Sequence, residues 1–143
     1  MKPEDIIPSL LKACPDFAPV WKAHVAYWAN EQRGHYIDMS EFAHFLVKSV
    51  SAGKVKCLPE AFQVIETLLN QGNDEVKQLV SIGLLEDIQT ISSNNQVSPD
   101  IFLKWLGPSS TLAWIEIAKM WEGKSSLMDI IRDEMKTKGG GAS

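Results

Sequence analysis

The sequence has only two cysteines in 143 residues, Cys14 and Cys57. That is too few for a disulfide scaffold, and neither has a Cys or His neighbour at metal-ligand spacing, so the chain reads as reduced and without a structural metal. No apolar run approaches the roughly 18 residues of a membrane-spanning helix. The opening Met1-Lys2-Pro3-Glu4-Asp5 lacks the apolar core of a secretion signal, which points to a cytoplasmic location. Basic charge is also short: 14 Lys and Arg stand against 18 Asp and Glu, a formal net charge of −4. That balance argues against a protein held to nucleic acid by phosphate contacts, and against a basic membrane-surface protein. Motifs for chemistry are missing too. There is no H-E-x-x-H, no phosphate-binding P-loop, no G-x-G-x-x-G and no G-x-S-x-G elbow, so no catalytic set, metal or cofactor is assigned.

What is present is helical punctuation. Pro3 and Pro15 bracket a short apolar stretch, and Asp16 opens a segment running to about Glu31. Asp38-Met39-Ser40-Glu41 reads as a capping box for a third helix that stops near Gly53. Pro59 sits at a first helical position and Gly72 just past the end of Glu60–Asn70. Asp74 opens a helix reaching about Ile91, Ser98-Pro99 caps another segment closed by Gly107-Pro108, and further helices start at Ser110 and Ser126. No segment alternates with period two, so the expected fold is all-α, a compact bundle of about eight helices. Residues 1–138 read as one domain, and Gly139-Gly140-Gly141-Ala142-Ser143 as a flexible tail of the kind left by cloning.

Helical phase at about 100° per residue assigns the inner faces. Phe42, Phe45, Leu46 and Val50 share one side of the third helix, with Glu41, His44 and Lys48 opposite. Ala61, Phe62, Ile65, Leu68 and Leu69 face in on the fourth. The fifth helix carries Val76, Val80, Gly83, Leu84 and Ile91 on one face and Leu85 on the other, and a helix apolar nearly all round belongs at the centre of a fold. Asp87 lies within about 20° of Val76 on that stripe, which predicts a buried structural acid anchoring a helix start or an indole. The fourth and fifth helices, joined at Gln71-Gly72-Asn73, resemble one antiparallel HEAT-type pair. No second copy follows at a fixed period.

His24 shares a face with Trp21 and Trp28 and reads either as a base or ligand in an aromatic pocket or, more simply, as a core imidazole, since no acid sits at helical spacing from it. His44 falls on a polar face and His35 in a loop. Cys57, near a helix start, is the only thiol placed for reactivity. The pairs Trp21/Trp28 and Trp114/Trp121 are seven residues apart and read as packed stripes. Acidic charge is concentrated: residues 58–107 hold 7 acidic and 2 basic side chains, while the flanks are close to neutral. Such a surface steers a basic partner, and Glu66, Asp74, Glu75 and Glu86 are the residues predicted to do it.

Several segments carry a resemblance. Cys14-Pro15-Asp16-Phe17-Ala18-Pro19-Val20-Trp21, Glu41-Phe42-Ala43, Ile65-Glu66 through Val76, Gly83-Leu84-Leu85-Glu86-Asp87, and Leu106-Gly107-Pro108 with Trp114 resemble a family of small all-helical bacterial proteins over about residues 8–122. The family is similar to the immunity proteins encoded beside secreted bacterial toxins. The resemblance implies a helical protein that binds and occludes a cognate toxin, a nuclease-like basic protein if the acidic segment is the contact surface. A general adaptor domain is the alternative. An enzyme acting through Asp87, His24 or Cys57 is the least supported reading.

Overall fold

The computed structural model describes residues 1–29 and 31–122. The helix expected from Ser126 and the Gly-rich tail lie outside these residues. The described chain is helical throughout and holds no strand. In order come α1 (Ile6–Ala13), α2 (Ala18–Trp28), α3 (His35–Ser51), α4 (Leu58–Gln71), α5 (Asp74–Gln78), a π-helical stretch (Leu79–Leu85), α6 (Glu86–Asn94) and α7 (residues 108–122). Short 3-10 turns at Pro3–Asp5 and Pro15–Phe17 lead into α1 and α2, and a longer one, Pro99–Trp105, precedes α7. The described residues thus form the all-α bundle expected, with seven α-helices, close to the eight or so anticipated.

The expected boundaries hold where the caps are local. Asn73 caps α5 by accepting a hydrogen bond from the Val76 N–H at 2.9 Å, and Gly72 ends α4. Ser98 accepts from the Asp100 N–H, although the segment it opens is a 3-10 turn. Helix α3 ends in a Schellman motif, with Lys54 N–H donating to Ser49 O and Gly53 N–H to Val50 O, and Gly53 takes the left-handed φ of 74° that the motif requires. One cap differs. Helix α3 starts at His35 after Gly34, so Asp38 lies inside the first turn and is not the cap of a capping box.

Residues 74–94 form one continuous helical run at the centre of the fold, packed most extensively on α3. Its contacts with α4 fall on α5 and the π stretch, while α6 turns to α3 and to Pro99–Trp105. The pair joined at Gly72 therefore departs from a HEAT-type hairpin: the main partner of its second helix is α3. Val76, Leu79, Val80, Leu84, Leu85 and Ile88 of this run join Phe17, Phe42, Phe62 and Phe102 in one buried cluster. Gly83 lets the run approach α3 closely, since a Cβ there would stand 3.1 Å from the Tyr36 ring.

The π stretch corrects the expected position of Asp87. A π turn holds one more residue than an α turn, so every side chain after it swings round by about 100° relative to a continuous α-helix. Ile88 takes the place on the Val76 stripe and is fully buried, whereas Asp87 is only half-buried.

The two cysteines also depart from expectation. Cys14 and Cys57 are joined in a disulfide with Cα atoms 5.3 Å apart, so the chain described is not in a reduced state and Cys57 is no free thiol. The packing of α1 along α4 brings the end of one helix to the start of the other across 43 residues of sequence, a proximity that no local spacing encodes.

Candidate functional site

The polar centre of the described residues lies between α2 and α3. His24, 7% exposed, places Nε2 3.0 Å from Oδ1 of Asp38, itself 6% exposed, and Nδ1 3.5 Å from Oε2 of Glu41. The Arg33 Nε donates to the same Asp38 oxygen at 2.5 Å, and the guanidinium lies over Trp21 with its carbon 5.1 Å from the ring centroid. Trp21 and Trp28 flank the imidazole at 5.4 and 6.5 Å between centroids. The aromatic face seen in the sequence is real, but the acids that partner His24 come from the next helix. Asp38 is the residue that sequence reasoning missed. Its apparent role as a cap hid the fact that the helix had already begun.

This geometry supports anchoring rather than proton transfer. Both ring nitrogens face carboxylates, so no lone pair of His24 is turned to a substrate. A cleft of about 550 Å³ opens beside it, lined by Tyr27, Trp28, Ser40, Glu41 and His44. Asp87 stands near the same stretch of α3. Burial pushes its pKa above the ordinary carboxylate value, Glu86 adds to that, and the Ser40 hydroxyl and His44 ring counteract. His24 and Asp87 thus both stand by the Ser40–His44 stretch of α3, while Cys57 lies elsewhere, closed in its disulfide. Among the described residues no group of three or more His, Cys, Asp or Glu is placed to hold a metal ion.

The acidic side chains expected to face a partner divide into two sets. Asp74 and Glu75 are exposed on the first turn of α5, and Glu86 is half-exposed at the start of α6. Among the described residues none of the three has an ion-pair partner. Along the run between them Gln78 and Ile82 are exposed, the latter 51%, with Tyr36 (49% exposed) packed at the adjoining Gly83. Glu66 is different. Its carboxylate accepts hydrogen bonds from the backbone N–H groups of Ser109 and Ser110, the latter at 3.1 Å, and so caps the start of α7. Gly107 makes room for it: a Cβ there would stand 2.7 Å from the Glu66 carboxyl carbon. The tryptophans divide likewise, with Trp114 buried against Phe102 and Trp121 41% exposed.

The profile of DUF7674, described as a domain of unknown function, matches residues 7–122. The chain belongs to this family. The DUF7674 match ends where the described part of α7 ends, so it takes in the His24–Asp38 centre, the acidic run and the Glu66 cap together. No curated protein and no solved structure matches the chain. No described helix is long and apolar enough to cross a membrane.

Proposed function

We propose that this DUF7674 protein is a binding protein, an immunity protein that neutralises a cognate bacterial toxin by covering its active site. The observation that carries this reading is the exposed part of the central run, where Ile82, half-exposed, comes between Asp74 and Glu75 before it and Glu86 after it, acids with no ion-pair partner among the described residues. An apolar anchor with Tyr36 close by and a charged rim is the composition of a protein-binding patch. Its sign suits a basic partner such as a nuclease. Glu66, engaged at the start of α7, drops out of the docking set. The resemblance to immunity proteins adds the class of partner, and the pairing of His24 with Asp38 and Glu41 favours a structural role for that imidazole.

The test is growth. The toxin candidate encoded next to this gene is expressed with and without the chain, and protection is expected, with loss of protection on Ile82→Glu. Failure to protect, or protection that Ile82→Glu and Glu75→Lys leave intact, contradicts the reading and favours a general adaptor domain.

A further inference from the structure

A second cleft lies at the far end of α3, away from the acidic run. It has a volume of about 540 Å³, within the range of small-molecule sites, and Lys48, Lys54 and Lys56 all line it. The fold gathers them deliberately. Lys48 stands on the last turns of α3, and the left-handed turn at Gly53 folds the chain back so that Lys54 and Lys56 reach the same opening. Among the described residues none of the three ammonium groups has an ion-pair partner, and Asp16 is the one acid on the lining. From residue 42 to residue 59 the sequence has no acidic side chain, in a chain whose net charge is −4. Phe45 supplies an apolar wall. The opposite wall, at Pro15, is tied to the lysine loop by the Cys14–Cys57 disulfide, so both sides of the opening are held before any ligand arrives.

We propose that this cleft binds a small organic molecule carrying two or more phosphate charges, with the lysines holding the phosphates and Phe45 in contact with the body. Three mobile point charges suit a phosphate cluster of no fixed plane better than a single carboxylate. The inference is independent of the partner-binding reading, because it uses the other end of α3 and the opposite charge.

Pyrophosphate and ADP are the probes, titrated into the oxidised full chain at low salt and followed by calorimetry and by NMR shifts. Both are expected to bind at 1:1, ADP more tightly because its base adds contact with Phe45. The double variant Lys54→Gln/Lys56→Gln is expected to weaken both by at least about tenfold, with unchanged thermal unfolding since both lysines are exposed. Phe45→Leu is expected to reduce the difference between ADP and pyrophosphate. No binding at millimolar probe, or binding that the double variant leaves unchanged, overturns the proposal. So does sedimentation with phosphatidylserine vesicles without binding of either soluble probe, which would make the lysines a lipid-headgroup contact.

Discussion

Asp87 is held in an environment that disfavours its charge. Burial and the neighbouring Glu86 raise its pKa, and Ser40 and His44 offset this only in part. The folded chain therefore holds that proton more tightly than the unfolded chain. As pH rises from the unfolded value through the raised folded value, stability falls, and above that interval the loss is complete. Asp87→Asn removes the loss. The variant is expected to match the wild type at about pH 3 and to unfold at higher temperature at neutral pH, seen in melting curves across that range. At Asp38 the concern is partners, because His24 and Arg33 both depend on its Oδ1. Asp38→Ala leaves both without that acceptor and is expected to lower unfolding free energy in urea by about 3 kcal/mol. That His24 sits in an aromatic face was legible from the three- and four-residue spacing of Trp21 and Trp28. Its acids were not, because they arrive from a second helix whose start was placed four residues too late.

At the scale of elements, most boundaries were legible from caps and breakers: Gly72, Asn73, Ser98 and Gly53 act where the sequence puts them. The inner faces of α3 and α4 also followed from phase, with Phe42, Leu46, Ala61, Phe62, Ile65 and Leu68 all buried. Beyond Leu79 phase still placed Val80, Gly83, Leu84 and Ile91 inside, but it failed at Asp87, since a 100° rule assumes a continuous α-helix and the π stretch adds a residue to the turn. Glu66 shows a different limit. Its position on the polar face of α4 was correct, yet a polar face is also where a neighbouring helix can find its cap. Gly72 offers the sharpest test at this scale. A Cβ there meets the Val76 side chain and, at 2.5 Å, the Leu68 carbonyl oxygen, which is backbone and cannot yield. Gly72→Ala is expected to cost about 3 kcal/mol, whereas Gly83→Ala meets the half-exposed Tyr36 ring and is expected to cost less, both read by chemical denaturation.

For the whole molecule, the disulfide and the distribution of charge set the character of the surface. Cys14–Cys57 closes 43 residues of chain that include α2 and α3, and so ties the His24–Asp38 centre and the lysine cleft into one covalent loop. Replacing both cysteines by serine is expected to lower stability by about 3 kcal/mol under oxidising conditions and to change it little relative to reduced wild type. Composition and net charge revealed the acid excess and its confinement to residues 58–107. They could not reveal that Lys48, Lys54 and Lys56 converge, because that depends on the turn at Gly53 and on the packing of the N-terminal segment. The central claim is that the exposed acidic part of the central run meets a basic partner. The most direct measurement is the association rate of the chain with the basic toxin domain that the proposed function predicts as the product of a neighbouring gene, as a function of salt, for the wild type and for Glu75→Lys/Glu86→Lys. The account expects a wild-type rate that falls steeply with salt and a variant slowed by about tenfold at low salt, with a flattened dependence. Equal rates and equal salt slopes for the two proteins would contradict it.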